Sequence, residues 1–192
     1  VPNSDMLTWA GGGSEDWGNN ANNINPAIYE ECIMAPYVGK QLGVYKCPAD
    51  IIPSANGQRI RTYSMQSMMG NVYPSVRGTA QLDCPGYLTY SKISDLTGPV
   101  NPSMGIVFLE ENMCNMNDAW LEVNIPGTVW ADVPGSYHDN WKCGMSFADA
   151  HVEMHKWLTS SLKIPISSSV GFPAGGNKMP RNPNGPNNQD WI

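Results

Sequence analysis

The chain has 192 residues and a net charge of −6, with eleven basic residues scattered singly; no Lys/Arg cluster could neutralise a row of phosphates, which excludes nucleic acid as a partner. Charged residues make up 15% of the chain and hydrophobic ones 41%, and Asn, Gly, Pro, Ser and Thr fill the difference; this suits a loop-rich extracytoplasmic β protein better than a cytosolic enzyme. No apolar run approaches the roughly 20 residues that cross a bilayer, and the start at Val1-Pro2-Asn3, without an initiator Met, reads as a processed or trimmed product.

Residues 1–25 carry Gly11-Gly12-Gly13 and five Asn from Asn19 to Asn25, and read as loop pinned by Trp9 and Trp17. Asn25 as cap and Pro26 at the first position predict a helix of about two turns, ending before Pro36. Its buried face is Ile28, Cys32 and Ala35, with Tyr29 and Ile33 beside it. Val44 to Asp50 reads as an extended segment closed by a turn. Arg59 to Met65 alternates as a strand does, with Ile60, Thr62 and Ser64 on one side and Arg61, Tyr63 and Met65 on the other. Residues 70–103 read as irregular. Met104-Gly105-Ile106-Val107-Phe108-Leu109 is short enough for a strand buried on both faces. Trp120 to Ile125 predicts another strand, with Leu121, Val123 and Ile125 inward. Gly144 to Trp157 reads as a hairpin turning at Asp149-Ala150. Trp120 and Trp157 are assigned to the core. From Ser160 the chain is rich in Pro, Gly and Asn, which divides it into a globular domain over 1–159 and a tail over 160–192 that is wrapped on the surface or disordered.

The five cysteines (Cys32, Cys47, Cys84, Cys114, Cys143) include no Cys-x-x-Cys pair, so neither a structural zinc site nor a thioredoxin-like motif is expected. Two disulfides and one free thiol are expected, with the pairing left open. Glu110, Glu111, Asn117 and Asp118 offer hard oxygen ligands that suit Ca²⁺, although their spacing is not that of an EF-hand and a solvated, turn-forming loop is the plainer reading. Asp149, His151, Glu153 and His155 alternate, and with His138 they suggest a transition-metal set of His138, Asp149 and His151. The plainer reading is a polar outer face opposite Ala150, Val152 and Met154, with His138 donating a hydrogen bond to the Asp149 turn. There is no Gly-x-Ser-x-Gly elbow, phosphate-cradling loop or dinucleotide fingerprint. Glu110 and Glu111 adjoin and so point to opposite faces of a strand, a poor couple for sugar hydrolysis. Trp17, Trp130 and Trp141 stand among Gly, Asp and Asn and are the candidates for stacking on a glycan.

Several stretches in order resemble one family: Tyr45-Lys46-Cys47-Pro48-Ala49-Asp50; Arg59-Ile60-Arg61-Thr62-Tyr63-Ser64-Met65 with Met69-Gly70; Val107-Phe108-Leu109-Glu110-Glu111 with Asn117-Asp118; Ser136-Tyr137-His138 leading to Phe147-Ala148-Asp149-Ala150-His151-Val152; and Pro186-Asn187-Asn188-Gln189-Asp190. Together they resemble type II secretion-like pseudopilins with a prepilin-type N-terminal methylation helix. The resemblance implies an α+β fold: a pilin-like antiparallel sheet with a short N-terminal helix and a long irregular C-terminal tail. It also implies an upstream apolar helix that anchors the full-length protein and packs against the sheet, an extracytoplasmic location, and assembly with copies of itself or sister pseudopilins. Related secretion pseudopilins hold calcium in a C-terminal loop whose residues do not map onto this chain. The family signature is a His followed about ten residues later by Asp-Gly. Here Asp149-Ala150 stands in its place, one residue further from His138, so the turn either differs in type or carries strain. The alternative reading is a carbohydrate-binding or carbohydrate-acting module on a pilin-like anchor, contacting polysaccharide. A metal-dependent hydrolase around His138, Asp149 and His151 is the third.

Overall fold

Strand pairing grows outward from the hairpin at Asp149-Ala150. In the computed structural model, which describes residues 9–10, 19–70, 89–98, 100–114, 116, 118–122, 129–130, 132–158, 160–166 and 179–180, β5 (Lys142–Phe147) pairs antiparallel with β6 (Val152–Lys156). β5 also pairs antiparallel with β2 (Ile106–Glu110), and β2 with β1 (Tyr63–Gln66). The short β3 (Trp120–Leu121) completes a five-stranded sheet of order β3-β1-β2-β5-β6. β3 runs parallel to β1, so the sheet is mixed and not antiparallel throughout as expected. The reason is topological: the chain reverses after β2, and a strand opposed to β2 but placed beyond β1 must run along β1. A separate two-stranded pair joins β4 (Val129–Trp130) to β7 (Met179–Pro180). With its few short helices the protein belongs to the α+β class.

The helix α1 (Pro26–Glu30) starts where the sequence says, with the Asn25 side chain accepting from Ala27 N at 3.2 Å, but it lasts five residues. The chain then re-forms as 3₁₀ turns at Ala35–Val38 and Leu42–Tyr45, the second of which replaces the extended start expected at Val44. Tyr29, Cys32, Ala35 and Tyr45 are buried together with Ala10 and Ala119, whereas Ile33 is exposed. Trp9 serves as a pin: its indole N–H donates to the Ala119 carbonyl at 2.8 Å, and its ring lies 4.8 Å from that of Phe108. Trp17 and the stretch 71–88 lie outside the described residues.

One sheet face is covered. Leu109, Leu121, Val133, Cys143, Met145 and Trp157 form its core with Leu162 and Ile164, so the chain beyond residue 159 contributes two buried side chains to the domain. Each such apolar side chain stabilises the fold by about 1.5–3 kcal/mol. The Trp157 indole N–H donates to the Gly135 carbonyl at 3.0 Å. Trp120, assigned to the core, is only half-buried.

Ala150 adopts a φ of +73°, so the Asp-Ala turn keeps the left-handed backbone that Asp-Gly would take freely. Asp149 Oδ1 accepts from His151 N at 3.1 Å and closes the turn. A left-handed Ala costs about 1–2 kcal/mol, part of which glycine returns through its freer unfolded chain. Ala150→Gly is therefore expected to stabilise the protein by about 0.5–1 kcal/mol, read as a higher denaturant midpoint at unchanged slope; an unchanged or lower midpoint would refute the strain.

A second constraint is the ion pair between Arg59 Nη2 and Asp50 Oδ2 at 2.5 Å, both side chains fully buried. Thr62 Oγ1 donates to the same Asp50 oxygen at 2.7 Å. Removing one partner leaves a buried charge uncompensated, so Asp50→Ala should cost about 3–5 kcal/mol in equilibrium unfolding.

Candidate functional site

Strand alternation sorts the opposite sheet face. Tyr63 of β1, Phe108 of β2, Gly144 and Ser146 of β5, and Val152 and Met154 of β6 line a groove of about 470 Å³, walled on its other side by Trp9, Met34, Val44 and Tyr45. Val152 is 75% exposed and Met154 48%. The sequence reading placed these two inward and gave the open side to Asp149, His151, Glu153 and His155. The structure corrects this in part: Asp149, His151 and Glu153 are exposed as expected, but His155 is largely buried with its ring 4.8 Å from that of Trp157, and Val152 and Met154 are exposed along the groove. Alternation reveals two faces but not which of them is covered.

Glu110 shares a face with Phe108 two residues earlier and lies beside the groove-lining Gly144. Its carboxylate is fully buried. Oε2 accepts from Gly144 N at 3.0 Å, and Oε1 lies 2.8 Å from His138 Nε2. Cys47 Sγ lies 3.3 Å from the same His138 nitrogen. The donor atoms of Cys47, Glu110 and His138 all lie within 4.8 Å of one another. Two glycines make room: a Cβ on Gly144 would meet Glu110 Oε1 at 3.2 Å, and one on Gly135 would meet the Tyr137 ring at 2.7 Å and Glu110 Cβ at 2.9 Å. Burial, reinforced by the neighbouring Glu110, pushes the Cys47 thiol up to about 12, and burial raises Tyr63 beside it. His138 is held by a bridge to Lys142 across a tight turn in which Asn140 and Trp141 both take positive φ, and its side chain keeps 30% of its surface exposed.

The residues singled out in the sequence are distributed as follows. His138 does not reach the Asp149 turn; it turns to Glu110 and Cys47. Asp149 bonds to His151 instead, Oδ1 to Nδ1 at 2.5 Å, with both side chains partly exposed. That neighbour holds the Asp149 carboxyl below its ordinary value. Glu110 and Glu111 part, as strand neighbours do. Glu111 accepts from Ser64 Oγ and sits 3.9 Å from Arg61; burial, then repulsion from Asp132, raises its pKa well above the ordinary value. Asp118 Oδ1 accepts from Trp120 N at 2.9 Å, and Asn117 lies outside the described residues. Of the three tryptophans proposed for glycan stacking, Trp141 is exposed at its turn; Trp17 and the side chain of Trp130 are not described.

The expected disulfides are absent among the described residues, where Cys32, Cys47, Cys114 and Cys143 are all free and buried. Cys32 lies against the Tyr45 hydroxyl at 3.3 Å and Cys47 against His138, while Cys143 sits in the main core with its Sγ 3.7 Å from the Glu110 carbonyl. Burial also pushes Cys114 up to about 12 and Cys143 well above its ordinary value. Protein purified without reductant should therefore show at least four thiols to a disulfide reagent in guanidinium chloride and react only slowly when folded. Fewer thiols after unfolding would reinstate a disulfide.

No helix among the described residues is long and apolar enough to cross a membrane. No family model, curated protein or solved structure matches the chain.

Proposed function

We propose that this domain is an assembly subunit of a pseudopilus-like, type II secretion-like filament outside the cytoplasm, and that the open sheet face is where it packs against an apolar helix. One observation carries the reading: a single sheet packs its main core on one face, while on the other Val152 and Met154 stand exposed in a groove beside the half-buried Tyr63 and Phe108. Leaving a Val and a Met exposed on a strand forgoes about 1.5–3 kcal/mol each, which a packed helix would recover. The small residues Gly144 and Ser146 between them keep the floor of the groove low enough for a helix to approach. In the family that the sequence resembles, such a helix lies upstream of the globular domain and supplies most of the contact between subunits. The isolated domain is then monomeric, because the packing partner is a helix and not a second sheet.

The test is assembly. The double variant Val152→Glu, Met154→Lys alters only exposed side chains, so the isolated domain should keep its melting temperature within about 2 °C. In the full-length protein the same pair is expected to abolish recovery in a sheared filament fraction. Wild-type recovery of the double variant would overturn the reading. A glycan array that retains the isolated domain through Trp141 would favour the carbohydrate-binding alternative.

A further inference from the structure

We propose that Cys47, Glu110 and His138 form a binding site for a divalent transition metal, zinc above all, with a coordination position left open on the solvent side of His138. None of the three stands in a metal-binding motif. They converge because the 45–50 turn, the end of β2 and the 133–138 segment meet at one point.

The geometry brings three ligand atoms to one point. His138 Nε2 is 2.8 Å from Glu110 Oε1 and 3.3 Å from Cys47 Sγ. Without a metal, the ring N–H donates to the carboxylate and the thiol is left a weak contact with the same nitrogen. A cation at the centre would take the place of that proton, since all three atoms can then point lone pairs at it. Tetrahedral zinc with bonds of about 2.0–2.3 Å separates its ligands by roughly 3.3–3.8 Å. The sulfur–nitrogen distance already reaches the lower end, and the carboxylate must draw back from the imidazole by only about half an ångström.

The donor set selects the ion. A thiolate excludes calcium and magnesium, which take oxygen, whereas thiolate with imidazole and carboxylate suits zinc. Binding converts the Cys47 thiol to a thiolate by releasing its proton to solvent, so a thiolate, a carboxylate and a neutral imidazole balance the two charges of the ion. The surrounding groups already orient the ligands: Gly144 N donates to Glu110 Oε2 at 3.0 Å, Ala49 N donates to Cys47 Sγ at 3.4 Å, and the His138 backbone is bridged to Lys142. Three protein ligands with one partly exposed flank leave the fourth position to water or to a partner's side chain.

Cobalt(II) is the probe. Chelator-treated protein titrated with Co²⁺ alone should show the visible bands of four-coordinate cobalt together with a sulfur-to-cobalt charge-transfer band, both saturating at one ion per chain, and Zn²⁺ should displace them. Cys47→Ser is expected to remove the charge-transfer band. His138→Gln, at a partly exposed position, should weaken binding by about tenfold or more while leaving the far-ultraviolet circular dichroism unchanged. Cys114→Ser should alter neither. Zinc should also raise the melting temperature of the wild type and not that of His138→Gln. Folded wild-type protein that takes up neither ion at micromolar concentration, or a charge-transfer band that persists in Cys47→Ser, would overturn the proposal. Neither result bears on filament assembly, which is read from Val152 and Met154.

Discussion

The buried carboxylate of Glu110 is the constraint on which the site and much of the sheet depend. A carboxylate without water is tolerated only where donors replace its hydration, and here Gly144 N and the His138 ring occupy its two oxygens. Its backbone is equally engaged: Glu110 stands opposite Tyr63 in the β1–β2 ladder, and its carbonyl accepts from Gly135 N at 2.6 Å. One residue thereby ties together β1, β2, β5 and the segment that carries His138. The same crowding dictates the two glycines around it, since a side chain at Gly135 would collide with both Glu110 and Tyr137.

The two functional readings meet at this residue. Tyr63 and Gly144 line the groove and also border Glu110, so the cluster adjoins the open sheet face. A metal bridging Cys47 to Glu110 would fix the 45–50 turn against β2. Tyr45 in that stretch is also a wall of the groove.

What could be read in the sequence was local. Asn25-Pro26 capped a helix, Asp149-Ala150 turned a hairpin, and Glu110 and Glu111 parted, because each depends on neighbours within a few positions. The cluster was beyond that reach: Cys47 and His138 are 91 positions apart and His138 and Glu110 28, with no spacing motif to link them. The alternation from Asp149 to His155 gave His151 and Asp149 a face in common but hid the fact that His138 turns to Glu110 and Cys47. The parallel β3 was equally out of reach, since direction is set by where the chain returns and not by residue pattern. His138 was singled out by its place in the family signature and by its nearness in sequence to Asp149 and His151, neither of which points to Cys47 or Glu110.

A low charged fraction also proved a poor guide to the interior. Arg59, Arg61, Asp50, Glu110 and Glu111 are all nearly or wholly buried, so a chain sparing in charge places several of its ions inside. Such groups stabilise little on balance, but they tolerate few arrangements, because each misplacement strands a charge. The Arg59–Asp50 pair illustrates what this specificity secures. Asp50 N donates to the Cys47 carbonyl at 3.0 Å, and Thr62, one residue before β1, donates its hydroxyl to Asp50. The ion pair therefore fixes the turn bearing Cys47 against the strand that pairs with β2. The thiol stands beside Glu110 and His138 because a buried charge three residues further along has one place to go.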